Sequence, residues 1–284
     1  MSKLAYIPEA TVGRAAGVPY VAMPPSDRVR ASAPAVVGWH LGDPPRTETA
    51  LAAALPLREL NAWRIYLGLP LSGSRLPAGG WDELMQAASE DAVLKLQKPV
   101  AYGAAEEFGP AFAELHGRLG FDTARIGVMG GSIGAAVAQL VIAEGDLQIS
   151  AAVLVNPLVQ LRRAVDAMRR RFGLTYTWTA ESKAVADRLD FVARASEIAD
   201  RTRTAVLLVI GEHDDAGFRE PAAELAEALK RSYADEARAE LVTIPGMAHA
   251  LAEEPGSDPA PQTAHAAVVD RHAVQWFRRY LVER

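Results

Sequence analysis

Hydrophobic and polar positions along the chain fall into two alternating patterns. Short, nearly all-apolar runs bounded by Gly or Pro recur at residues 17–23, 35–39, 63–67, 125–129, 149–155, 205–210 and 240–244. Runs of this length, apolar on both faces, suit strands covered on both sides. Between them, residues 133–143, 219–233 and 264–281 read as helices. In the last, Val269, Ala273, Trp276, Phe277 and Tyr280 share one stripe. Strands alternating with helices predict an α/β fold: a mostly parallel central sheet flanked by helices. No period of roughly 20–50 residues repeats, which excludes a solenoid or propeller.

Two stretches break the alternation. Residues 70–122 begin with a Gly/Pro/Ser-rich loop up to Gly80, and continue with helical segments interrupted at Pro99 and Gly103. Residues 157–200 hold about two helices where one would connect neighbouring strands. In the first, Leu158, Leu161, Val165, Met168 and Phe172 mark an apolar stripe, while Arg162, Arg163, Arg169, Arg170 and Arg171 crowd the remainder. This segment reads as a small helical cap inserted over the strand ends. The arginines read as a solvated face.

Composition narrows the class without naming an activity. At 284 residues the chain allows one large domain or two small ones, with a core that needs neither disulfide nor metal. It contains no cysteine, which removes disulfide scaffolds, thiolate metal sites and a thiol nucleophile. Thirty Lys and Arg against 35 Asp and Glu give a net charge of −5, the wrong sign for a non-specific nucleic-acid binder. The first twenty residues lack the continuous apolar core of a signal peptide, and no apolar stretch approaches the ~20 residues of a membrane span. The expected setting is the cytoplasm, with no membrane partner.

The chemistry concentrates at three strand ends. Gly130-Gly131-Ser132-Ile133-Gly134 follows the 125–129 run and opens the 133–143 helix. A serine on so tight a strand-to-helix turn stands clear of the sheet, and the Ile133 N–H at the helix start can hold an oxyanion. Gly211-Glu-His-Asp-Asp215 follows the 205–210 run, and Pro245-Gly-Met-Ala-His249 follows the 240–244 run. An open parallel sheet presents its ligand crevice at such strand ends. Ser132, an acid at Asp214 or its neighbour Asp215, and His249 therefore form a candidate nucleophile, orienting carboxylate and base. No metal motif, phosphate loop or dinucleotide fingerprint competes, so no cofactor is expected.

Elbow serine, G-x-x-D after the penultimate strand and histidine after the last together resemble the α/β-hydrolase family. The resemblance spans the whole chain, as one domain over residues 1–284 with the cap at 157–200. It points to the serine carboxylesterase and prolyl-oligopeptidase-like (dienelactone-hydrolase-like) branch. It implies Ser132 as nucleophile, His249 as base and then acid, and Asp214 as the orienting carboxylate, with Asp215 as rival. It also implies a second oxyanion donor after the 35–39 strand, where the family often carries His-Gly. Here the segment reads His40-Leu41-Gly42-Asp43. Leu41 stands where the glycine is usual, leaving the N–H groups of Leu41 and Gly42 as alternatives.

The resulting expectation is a carboxylesterase for small to medium or aromatic acyl esters. Met168, Phe172, Trp178 and Met247 are the candidate substrate-pocket residues, and a small-molecule ester is the expected partner. A prolyl-oligopeptidase-like peptidase, an acyltransferase or perhydrolase, and a catalytically silent α/β-hydrolase that binds a ligand are the alternatives.

Overall fold

A computed structural model describes residues 9–26, 32–173 and 175–283, without the side chains of residues 171, 172 and 202. Eight strands form one sheet: β1 (Thr11–Ala15), β2 (Val18–Met23), β3 (Ala35–Trp39), β4 (Trp63–Leu67), β5 (Ile126–Gly131), β6 (Ile149–Val155), β7 (Ala205–Gly211) and β8 (Ala239–Ile244). Their order is β1-β2-β4-β3-β5-β6-β7-β8. β1/β2 and β2/β4 pair antiparallel, and every other pair is parallel. The helices are α1 (Glu48–Ala54), α2 (Gly80–Glu90), α3 (Lys98–Leu119), α4 (Ile133–Glu144), α5 (Leu161–Phe172), α6 (Ala180–Arg188), α7 (Ala195–Thr202), α8 (Ala216–Ser232) and α9 (Ala264–Phe277). No described helix is long and apolar enough to cross a membrane.

Side chains that alternate along each strand feed two cores, one on each face of the sheet. Val37, Trp39, Val128, Leu154 and Leu208 face the core built with α3, α4 and α8. Val36, Met129, Val153 and Leu207 face the core built with α1 and α9. This double coverage explains why the central strands read as nearly all-apolar runs. β3, β4 and β6 have the bounds expected from sequence, and β5 runs two residues further, to Gly131.

Other elements differ from expectation. β1 escapes a hydrophobicity reading because it is an edge strand whose residues are mostly exposed. It pairs with β2 through the two-residue turn Ala16-Gly17, whose φ values of 46° and 84° are those of a tight hairpin. α1 is seven residues of mostly alanine with no apolar period, started by Thr47, whose hydroxyl accepts the Ala50 N–H at 3.1 Å. α3 is continuous through Gly103. Pro99 lies in its first turn, where no N–H is needed, and Gly103 allows contact with Pro70. The segment between β6 and β7 holds three helices rather than two. α5 packs on α8, α7 on α4 and α8, and α6 on a π-helical turn at Ala92–Gln97.

Candidate active site

Ser132 is the single residue between β5 and α4, with φ 49° and ψ −117°. That conformation is disfavoured for a residue with a side chain, so its surroundings must hold it. Its N–H donates to Val155 O at 3.0 Å, and its carbonyl accepts the Leu158 N–H at 3.1 Å. The flanking glycines let α4 start this close to the sheet. A Cβ on Gly130 would lie 2.2 Å from Gly134 O, and one on Gly134 would lie 2.3 Å from His40 O.

The loops after β7 and β8 bring Asp214 and His249 to the serine. His249 Nε2 lies 2.9 Å from Ser132 Oγ. His249 Nδ1 lies 2.9 and 2.8 Å from the two Asp214 carboxylate oxygens. A carboxylate on Nδ1 fixes the proton there and leaves the Nε2 lone pair to accept the serine proton. The Asp214 side chain is 2% exposed and also accepts the Asp215 N–H at 2.7 Å. Asp215 is turned away: it accepts the Gly217 N–H at 2.7 Å as the N-cap of α8 and pairs with Arg170 at 2.9 Å. The Gly217 N–H holds the Asp215 carboxyl below the usual carboxylate range. The Phe218 ring lies 4.5 Å from the imidazole of His249 and packs beside it.

Two buried polar residues support this arrangement. Asn156, at the end of β6, donates through Nδ2 to Ala248 O at 3.0 Å and His249 O at 2.9 Å. Its Oδ1 accepts the Gly211 N–H at 2.7 Å. One amide thus ties the acid loop to the base loop, which no periodicity reading detects. The sequence signal was the Asn-Pro pair closing a strand, since Asn tolerates its left-handed φ of 42°. His40 is wholly buried. Its Nδ1 lies 2.7 Å from Leu41 O and donates to it, and its Nε2 accepts the Leu69 N–H at 3.2 Å. Burial holds its pKa down to about 4, so the ring is neutral with the proton on Nδ1.

The loop after β3 separates the two oxyanion alternatives. The Leu41 N–H donates to Pro45 O at 3.2 Å, and the Leu41 side chain is buried. Gly42 lines the cleft beside Ser132 and Ile133. Ile133 is first in α4, where no helix carbonyl can take its N–H. The cleft has a volume of about 610 Å³, and Leu96, Leu158, Ala167, Met168 and Phe218 supply apolar wall.

Of the residues expected in a substrate pocket, Met168 lines the cleft. Met247 does not: it is fully buried in the core on the α9 side of the sheet. Trp178 is also absent from the cleft wall. It packs edge-on to Tyr176 at 4.9 Å and lies under the Arg162 guanidinium at 5.0 Å. The Phe172 side chain falls outside the described residues. Leu96 and Phe218 come from segments that no sequence motif connected to the site.

Residues 105–282 match the model of the prolyl oligopeptidase family of peptidases. No curated protein matches the chain in sequence. Among solved structures, TT1662 of Thermus thermophilus is similar at 18% identity, covering 97% of this chain and 99% of that one, with a TM-score of 0.66. A puromycin-hydrolyzing peptidase of Mycobacterium tuberculosis is similar at 19% identity and a TM-score of 0.63, covering 99% of this chain and 41% of that one. This chain therefore spans about two fifths of that peptidase's length. Carboxyl esterase 2 of the mycorrhizal fungus Tuber melanosporum is similar at 18% identity, covering 96% of this chain and 88% of that one, with a TM-score of 0.57. Together with the strand order, these similarities identify the α/β-hydrolase fold.

Proposed function

The chain belongs to the prolyl oligopeptidase family, and on that premise we propose that it is a serine hydrolase cleaving carboxylic esters through an acyl-enzyme on Ser132. The observation that carries this reading is the unbroken relay from Ser132 Oγ through the His249 imidazole to Asp214, with contacts of 2.8–2.9 Å. In this reading Ser132 Oγ attacks the acyl carbon while His249 Nε2 takes its proton. Asp214 holds the Nδ1–H and stabilises the imidazolium without being protonated. The N–H groups of Ile133 and Gly42 take the oxyanion. His249 then protonates the leaving alcohol, and deprotonates the water that releases the acid and restores Ser132. Residues 157–200, which carry α5, α6 and most of α7, act as the cap, with Met168 and Ala167 of α5 against the acyl group.

Family membership favours a second reading, in which the same relay cleaves an amide bond. One experiment separates the two: a panel of short- and medium-chain p-nitrophenyl esters run beside aminoacyl anilides, with wild type and Ser132→Ala. Ester turnover that falls about 10⁴-fold or more in the variant supports the esterase. Turnover of anilides alone supports the peptidase. Absence of turnover, with no labelling of Ser132 by a fluorophosphonate, overturns both.

A further inference from the structure

Four carboxylates line the cleft, those of Asp43, Asp214, Asp215 and Glu254. Three have partners within the chain: Asp214 holds His249, Asp215 pairs with Arg170, and Glu254 pairs with Arg46. Asp43 differs. Among the described residues no Lys or Arg lies within 4.0 Å of its carboxylate, and the imidazole of His249 approaches it through Nε2, 3.8 Å from Asp43 Oδ2. Arg46, three residues on, is committed to Gly42 O, Pro255 O and the Glu254 carboxylate. Asp43 thus places an unneutralised carboxylate, 41% exposed, on the loop that carries the Gly42 oxyanion donor.

For a neutral substrate this position is unfavourable, because the tetrahedral intermediate gains negative charge beside an existing negative charge. A substrate that carries its own cation there reverses the sign. We propose that Asp43 is a specificity residue that receives a cationic group next to the scissile carbonyl, and that α-amino acyl esters or amides are the matching substrate class. The reach is suitable. Nε2 is 2.9 Å from Ser132 Oγ and 3.8 Å from Asp43 Oδ2, so the carboxylate oxygen is within about 7 Å of the attacking oxygen. An α-ammonium nitrogen sits about 2.5 Å from its own carbonyl carbon, and a charge-assisted hydrogen bond spans about 2.8 Å more. The apolar wall of Leu158, Ala167, Met168 and Phe218 would then take an apolar amino-acid side chain.

This assignment rests on Ser132 acting as the nucleophile, and its test separates the two. L-phenylalanine ethyl ester and ethyl 3-phenylpropanoate differ only in the ammonium group. The readout is the ratio of their kcat/KM values, amino over neutral, for wild type and Asp43→Asn at low and high salt. The ratio is expected to fall about ten- to a hundredfold in Asp43→Asn, the value of one charge-assisted hydrogen bond. In wild type alone it is expected to fall as salt rises, because the carboxylate is partly exposed. A ratio that is insensitive to both the substitution and salt, with both esters turned over, overturns the role of Asp43 alone. Wild-type protein that turns over neither ester overturns this assignment, and if a fluorophosphonate also fails to label Ser132 the hydrolase reading falls with it.

Discussion

Replacing Asn156 with alanine tests whether one buried amide keeps the acid and base loops in register. The side chain is fully buried and makes three hydrogen bonds of 2.7–3.0 Å, to Gly211 N–H, Ala248 O and His249 O. Each buried group left unpaired costs about 1–3 kcal/mol, and partial entry of water lowers the total below a simple sum. The left-handed backbone at φ 42° adds about 1 kcal/mol for alanine, which tolerates it less well than asparagine. Asn156→Ala is therefore expected to lose about 3–5 kcal/mol of the roughly 5–15 kcal/mol typical of a folded domain. Asn156→Gly loses the same bonds but relaxes the backbone, and should be about 1 kcal/mol more stable than the alanine variant. Asn156→Asp keeps an acceptor for Gly211 but sets carboxylate oxygen against two carbonyls, so it should be at least as damaging as alanine at neutral pH. Freeing the His249 carbonyl also lets the imidazole drift, for which we expect kcat to fall about 10- to 100-fold with little change in KM. Urea unfolding gives the stabilities, and p-nitrophenyl ester kinetics give the rates. Alanine within about 0.5 kcal/mol of wild type, with kcat unchanged, would refute the argument.

Three further outcomes are expected. Asp214→Asn should lower kcat about 10³- to 10⁴-fold by releasing the His249 tautomer, whereas Asp215→Asn, which retains an N-cap oxygen, should change it by less than about threefold; steady-state kinetics on both variants decide this. His40 has a folded pKa of about 4 against its ordinary 6.5, so the unfolded chain binds the proton first. Its contribution is complete above about pH 6.5 and is lost as pH falls towards 4, a decline of about 3 kcal/mol that should be missing from His40→Asn in urea titrations across this range. Asp270 accepts the Leu57 N–H at 2.9 Å, and burial raises its pKa from 3.8 to about 6. Here the folded state keeps the proton longer, so stability declines as pH rises from about 4 to 6. Asp270→Asn should then be about 2–3 kcal/mol more stable than wild type at pH 8 and equal to it near pH 4, and parallel stability curves for the two proteins would contradict the assignment.

The central strands were legible because both their faces are buried, so β3 carries the apolar signal at every position and β4 and β6 break it only at Arg64 and Ser150. β1 was not, because an edge strand is held by backbone pairing and half its side chains meet water. α1 was missed for a related reason, since its short, alanine-rich sequence offers no period and its start depends on the Thr47 cap. The segment after β6 was recognised as extra helix, but its division into three depends on contacts with α4, α8 and the 92–97 turn.

What the sequence determined by itself was the covalent and local part of the candidate site. The glycines around Ser132 are required where backbones approach within bonding range, and the order of Ser132, Asp214 and His249 follows from strand ends that must meet at one sheet edge. Only the tertiary structure decided between neighbours. Asp214 and Asp215 have the same chemistry, yet one faces the imidazole and the other caps α8. Leu41 and Gly42 both offer an N–H, yet that of Leu41 closes on Pro45. Met247 sits two positions before His249 but packs in the core on the α9 side of the sheet, and Trp178 lies outside the cleft. Asn156 and Asp43 acquire their roles only from loops distant in sequence. The physical reason is the same in each case: hydrophobic period and turn chemistry act along the chain, while the direction of a single side chain is fixed by groups that arrive from elsewhere in the fold.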